Sequence, residues 1–118
     1  MQQTVQTLNA TFAALSDATR RAILARLAHG PATVSELMQP FSLSQPAISK
    51  HLKVLEQAGL VMQDRDAQRR PRTLTPGALE VVDVWLAPFR IQWEQRFRNL
   101  DRYAQTITPP SPKTKKRK

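Results

Sequence analysis

Residues 43–60 read LSQPAISKHLKVLEQAGL, and this run decides how the rest of the chain is understood. Ser44 suits an N-cap, because its hydroxyl can accept a bond from an otherwise unpaired first-turn amide. Pro46 falls in that first turn, where a missing N–H costs nothing and a fixed φ favours the helix. Gly59 supplies the positive-φ stop expected just past a helix C-terminus. Between those marks Ala47, Ile48, Leu52 and Leu55 share one side at helical spacing. Gln45, Ser49, Lys50, Lys53 and Gln57 share the other. The run therefore predicts a short amphipathic helix whose polar face carries amide, hydroxyl and ammonium groups. Such groups read base edges and phosphates in a DNA major groove. Any surface helix has a polar face, so taken alone the run leaves both readings open.

Upstream, Val5, Leu8, Phe12 and Leu15 repeat at helical intervals and predict a first helix from about Gln3 to Leu15. Ser16 or Asp17 then caps a second helix, DATRRAILARLAHG, ended by Gly30-Pro31. Its expected apolar side is Ala18, Ala22, Ile23 and Leu27, with Arg20, Arg21 and Arg26 less easily buried. Thr33 caps a short third helix, VSELMQ, with Glu36 completing a capping box, and Pro40 closes it. PFSL makes the turn into the opening run. A short helix, a turn of about four residues and a longer helix match the helix-turn-helix unit, whose second member enters the groove. Val34 and Leu37 would pack on Ile48, Leu52 and Leu55. That arrangement also occurs in proteins that never meet DNA, so the following residues discriminate.

Downstream, Leu60-Val61-Met62 and Thr73-Leu74-Thr75 are short strand candidates flanking the charged stretch DRDAQRRPR. A strand, a charged turn and a strand behind a helix-turn-helix describe a winged helix. Arg65, Arg69, Arg70 and Arg72 would reach phosphates or an adjacent minor groove. The alternative is a solvated loop whose charge Asp64 and Asp66 partly neutralise. Pro71 cannot donate to a ladder, which predicts an edge or a bulge and a short second strand.

Thr75-Pro76 is the expected cap and start of the last helix. Its stripe is Leu79, Val82, Leu86, Phe89, Trp93, Phe97, Leu100 and Ala104, broadened by Val81, Trp85 and Tyr103. Pro88 should kink or split it near residues 84–86. So much apolar surface exceeds what a small winged domain can cover, and such patches mark partner surfaces. A second copy related by a two-fold axis is the economical partner, with the first helix contributing. The expected dimer residues are Leu8, Phe12, Leu79, Val82, Leu86, Phe89, Trp93, Phe97 and Leu100. A cofactor cage of Trp85, Phe89 and Trp93 is the competing use of the same rings, and no cofactor is expected.

The chain has 118 residues, a formal net charge of +9 and no cysteine. Disulfides and thiolate metal sites are thereby excluded. Residues 109–118 hold five cations and no acid, leaving +4 for the other 108 residues. Such a balance favours a polyanion, either nucleic acid or an anionic membrane face. No run approaches the roughly 20 apolar residues of a bilayer span, and the N-terminus lacks a signal-peptide pattern. A cytoplasmic bacterial protein, on the nucleoid when bound to DNA, is expected, with no membrane partner. Residues 1–106 are read as one folded domain and 107–118 as a disordered basic tail. Paired carboxylates on one face, a nucleophile with its base and a glycine-rich phosphate loop are all missing, which argues against an enzyme.

The pieces DATRRAIL, VSEL and SQPAISKHLKVLEQAGLV, in this order and spacing, resemble the core of the ArsR-type winged-helix transcriptional repressors. VVDVWLAPFRIQWEQRFRNLDRY is similar to the dimer helix of a branch without metal ligands, and the resemblance covers roughly residues 11–103. It implies a homodimeric repressor on an inverted repeat in a promoter. Ser44, Gln45, Ser49 and Lys50 would then lie at the groove and the wing arginines on the backbone. Together with the residue reading, the DNA-facing set is Ser44, Gln45, Pro46, Ser49, Lys50, His51, Lys53, Arg65, Arg69, Arg70 and Arg72.

Metal-sensing members place a cysteine pair where this chain has Thr33, Val34 and Ser35, and others place aspartate and histidine on the last helix, which here lacks histidine. No metal site is expected. His29 is read as capping the end of the second helix, and His51 as either meeting a phosphate or packing beside the recognition helix. The wing lacks the tip glycine common in the family, which leaves its shape open. The expected fold is mainly α with a small β-hairpin, a winged helix-turn-helix dimeric through its terminal helices. Two other functions stay open: a protein-interaction winged-helix module, and a nonspecific nucleic-acid-binding protein driven by the tail. The sequence does not identify an effector.

Overall fold

A computed structural model describes residues 2–107. The order is α1 (Gln2–Leu15), α2 (Ala18–Leu27), α3 (Val34–Met38), α4 (Gln45–Gln57), β1 (Val61–Gln63), β2 (Arg72–Leu74) and α5 (Glu80–Ile107). The chain divides into two compact units after Asp83.

Local chemistry sets most of the boundaries in the first unit. Asp17 caps α2 by accepting the Arg20 amide at 3.0 Å. Thr33 caps α3, and its own amide donates to Glu36 Oε1 at 2.9 Å while its hydroxyl accepts the Glu36 amide at 3.2 Å. The expected capping box is therefore present. Ser44 caps α4 through a 3.3 Å bond from the Ala47 amide. Gly59, at φ +80°, ends that helix as expected.

The core of the first unit is built around α2, which packs on α1, α4 and β2, while α3 packs on α4. Ile23, Leu37, Ile48, Leu52, Leu55 and Leu60 are fully buried there. Each such side chain contributes roughly 1.5–3 kcal/mol by leaving water. On α2 the buried residues are Ile23, Leu24 and Leu27, whereas Ala18 is exposed and Ala22 half-buried. Leu24, not Ala18, thus completes the inward stripe.

The hairpin is antiparallel with Val61 opposite Leu74, Met62 opposite Thr73 and Gln63 opposite Arg72. Pro71 sits just before β2 and uses only its carbonyl, which accepts the Asp64 amide at 2.9 Å. The far side of β2 is met at one point by Ala32, which exchanges backbone bonds of 3.0 and 2.7 Å with Arg72. This single-residue third strand, in the α2–α3 connection, was not foreseen.

The start of α5 needs correction. Thr75-Pro76-Gly77-Ala78 forms a turn closed by the Ala78 amide on the Thr75 carbonyl at 2.9 Å, and Gly77 takes φ +69°. Proline followed by a positive-φ glycine is the pattern of a type II turn. No right-handed helix passes through that conformation, so α5 begins at Glu80 and Leu79 belongs to the turn.

In the second unit, α5 is unbroken across Pro88, so proline does not split it. Ile107, assigned to the tail on sequence, is its last residue, a difference of the size expected at helix ends. The rest of the basic tail, residues 108–118, lies outside the described residues. No residue of α5 is buried. Among the described residues no helix is long and apolar enough to cross a membrane.

Candidate nucleic-acid interface

The buried stripe of α4 fixes its rotation. With Ile48, Leu52 and Leu55 inward, Gln45, Pro46, Ser49, Lys50 and Lys53 stand exposed on the opposite side. Ser44 is exposed beside them, with its hydroxyl already accepting the cap bond. Amides, hydroxyls and ammonium groups so placed suit donor and acceptor edges in a major groove. Among the described residues no ion pair engages Lys50 or Lys53.

His51 has a different environment. It is half-buried, with Nδ1 3.4 Å from Arg20 Nη1 and 3.8 Å from Asp17 Oδ2. From α4 its ring therefore meets the N-terminal end of α2. Arg20 is the centre of that cluster. Its Nε donates to the Ala14 carbonyl at 2.7 Å and its Nη2 to the Ala13 carbonyl at 3.2 Å. Arg21 Nη1 donates to the Leu15 carbonyl at 2.7 Å. Two arginines of α2 thus meet the Ala14 and Leu15 carbonyls at the end of α1 and share that of Ala13 with the Ser16 amide and hydroxyl. The Asp17 carboxyl is held below the usual range, chiefly by the Arg20 amide it accepts, with help from the His51 and Arg20 charges. Glu36 is lowered in the same way, chiefly by the Thr33 amide. His29 is exposed, and the Gly30 carbonyl beyond α2 is met by Arg26 Nη1 at 3.1 Å instead.

The wing separates its four arginines into two kinds. Arg65, Arg69 and Arg70 are exposed on the loop between the strands. The turn begins with Asp64, whose Oδ1 accepts the Asp66 amide at 3.2 Å, and ends with the Arg70 amide on the Ala67 carbonyl at 3.1 Å. In place of a tip glycine, Arg70 itself adopts φ +47°. Arg72 turns inward: its side chain is only 14% exposed and donates from Nε to Glu56 Oε2 at 3.1 Å. Neither Glu56 nor the role of Arg20 was picked out on sequence. Glu56 meets Arg72, 16 residues away, and Arg20 meets carbonyls of α1 six and seven residues back and His51 31 residues ahead, none of them within the same element.

The apolar residues expected to form a dimer fall into two groups. Leu8, Val82 and Leu86 are half-buried within the protomer. Phe12, Leu79, Phe89, Trp93, Phe97 and Leu100 are exposed, Phe97 to 69% and Leu100 to 62%. Trp85 and Phe89 pack ring to ring with centroids 4.8 Å apart. Among the described residues no group of three or more histidine, aspartate or glutamate side chains is placed to hold a metal ion.

Residues 15–64 match a family model described as a helix-turn-helix domain. An HTH-type transcriptional regulator of Mycobacterium tuberculosis is 46% identical over 94 residues, covering 80% of this chain and 82% of that protein. The transcriptional repressor SdpR of Bacillus subtilis is 35% identical over 82 residues, covering 70% and 91%. The crystal structure of an ArsR family transcriptional regulator superposes with a TM-score of 0.66 at 40% identity, covering 75% of this chain and 92% of that one. A winged helix-turn-helix DNA-binding domain from Mycobacterium bovis, described as homodimeric, shares the fold at 21% identity, with a TM-score of 0.59 and coverage of 75% and 83%.

Proposed function

The chain belongs to the ArsR family of winged helix-turn-helix transcriptional regulators, and from that premise we propose that it represses transcription as a homodimer seated on an inverted repeat. It is a DNA-binding regulator and not an enzyme. The observation that carries the finer reading is the rotation of α4. Its core contacts leave Gln45, Ser49, Lys50 and Lys53 facing outward on a rigid element, beside a loop presenting Arg65, Arg69 and Arg70. A helix in the major groove and a basic loop on the backbone divide the work between sequence reading and phosphate attraction.

Dimerisation supplies the second half-site. A helix with no buried residue and a run of exposed aromatic and aliphatic side chains is poorly suited to stand alone in water. An isologous pairing covers the same face on both copies and imposes two-fold symmetry on the operator. Phe12 on α1 and Leu79 before α5 add exposed apolar surface of their own. The expected location is the bacterial cytoplasm.

Selection of DNA from a random pool, followed by footprinting of the selected sequence, tests this reading. Two half-sites about one helical turn apart, or a multiple of it, are expected, with affinity falling steeply as salt rises. Recovery of no preferred sequence at physiological salt removes the reading. The exposed α5 face also favours a second possibility, a module that docks a different protein. Light scattering separates them: a homodimer at low micromolar concentration supports the repressor, and a monomer that associates only with a partner supports the module. A third possibility, coating of nucleic acid through the basic tail, requires deletion of residues 109–118 to abolish binding. The repressor requires only a modest loss.

A further inference from the structure

We propose that Glu56 is a positioning residue for DNA binding, which acts through Arg72 to fix the wing against the recognition helix. The inference rests on the regulator reading above. Glu56 belongs to the last turn of α4, on the element meant to approach a polyanion, where a carboxylate facing DNA would repel it. It faces the hairpin instead. Arg72 Nε, on β2, donates to Glu56 Oε2 at 3.1 Å. Gln63 Nε2, on β1, lies 3.4 and 3.5 Å from the two carboxylate oxygens as a weaker donor. Gln63 and Arg72 are cross-strand partners, so one carboxylate meets both strands at the same level of the ladder.

Arg72 also reaches forward into the loop. Its Nη1 donates to the Arg70 carbonyl at 2.8 Å, and Arg70 is the residue held at φ +47°. One guanidinium thus joins α4 to the backbone that directs the Arg70 side chain. A guanidinium donates in two directions through a planar fork, which a lysine ammonium cannot reproduce from the same stem. The pair is largely withdrawn from water, with side chains 14% and 26% exposed, so salt screens it less than it screens Arg65 or Arg69. Arg72 accordingly contributes to DNA affinity by setting where Arg69 and Arg70 stand, without needing to touch a phosphate.

The test uses the full chain with Glu56→Ala, Glu56→Gln and Arg72→Lys. In the free protein, backbone hydrogen exchange at Asp64 and Arg70 should quicken about five- to tenfold in Glu56→Ala and Arg72→Lys, while amides of Leu52 and Leu55 keep their rates. Glu56→Gln, which retains an acceptor, should recover part of the protection. On the DNA selected by the wild type, Glu56→Ala should weaken binding about tenfold and flatten the slope of log affinity against log salt by roughly one to two. Adding Glu56→Ala to a chain already lacking Arg69 and Arg70 should then cost little more, because the two changes share one route. Unchanged exchange in Glu56→Ala overturns the proposal. So does weaker binding with an intact salt slope, which would place the effect in α4, or tighter binding, which would make Glu56 a simple repellent. Should the wild type select no sequence, the regulator reading fails on its own, and the exchange rates still decide whether Glu56 holds the wing.

Discussion

Phe97→Ala is the sharpest probe of the proposed dimer. Phe97 is 69% exposed in the protomer, and a phenylalanine presents about 200 Å² when extended, so about 140 Å² lies open. If a partner helix covers half of that, the ring contributes about 1.7 kcal/mol per copy at about 25 cal/mol per Å². Two-fold symmetry counts it twice, giving about 3.5 kcal/mol, or roughly a 300-fold rise in the dimer dissociation constant. Alanine is the strongest helix former, so α5 itself should not suffer. Sedimentation equilibrium across a concentration series measures the constant directly, and circular dichroism checks that helicity is kept. The reasoning is refuted if the variant dimerises within threefold of the wild type. It is equally refuted if the wild type sediments as a monomer at tens of micromolar.

Other outcomes follow from the interface and the caps. Replacing Arg69 and Arg70 with alanine should weaken all DNA sequences about equally and reduce the salt slope by roughly 1.8, as titrations at several salt concentrations will show. Gln45→Ala or Ser49→Ala should instead cost about 1–3 kcal/mol on the preferred operator and little on random DNA, read as a lost ratio between the two. For the acid limb, Asp17 and Glu36 have folded-state pKa values below their ordinary ones. Their stabilisation is therefore fully present above the ordinary carboxylate range, about pH 4, and is lost as pH falls through the folded values. Urea midpoints measured from pH 6 to pH 2.5 should fall less steeply in Asp17→Asn and Glu36→Gln than in the wild type, and parallel curves would contradict the assignment.

The parts of the fold legible in the sequence are those specified by neighbours along the chain. Ser44, Thr33 with Glu36, and Gly59 announce the helix ends because a cap bond spans only three or four residues. The inward face of α4 was legible for the same reason, since burial repeats with the helical period. The start of α5 was misplaced because Thr75-Pro76 was read as a cap, whereas Gly77 two positions later commits the segment to a turn. Periodicity also passed over Leu24, since adjacent Ile23 and Leu24 are both buried where α2 is packed on more than one side. Arg72 shows the limit for the site. Its charge and its place in an arginine cluster suggested phosphate, and only the approach of Glu56 from a different element redirects it. Arg20, drawn to the carbonyls of α1 and to His51 together, is equally invisible to spacing.

The backbone bridge between Ala32 and Arg72 gives the hairpin a graded resistance to opening. A two-stranded ribbon alone is at best marginally stable in water. Here its base is stitched to a residue 1% exposed, so detaching β2 at Arg72 leaves the amide and carbonyl of a buried residue without their partners. Past Asp64 and Pro71 no third strand remains, and the loop is held by its turn bonds and by the Arg72 guanidinium on the Arg70 carbonyl. Fraying can begin at the basic tip and travel only as far as that stitch. In the proposed complex, a hairpin anchored at its root and freer at its basic end would let the arginines follow the backbone while the root stays set against α4.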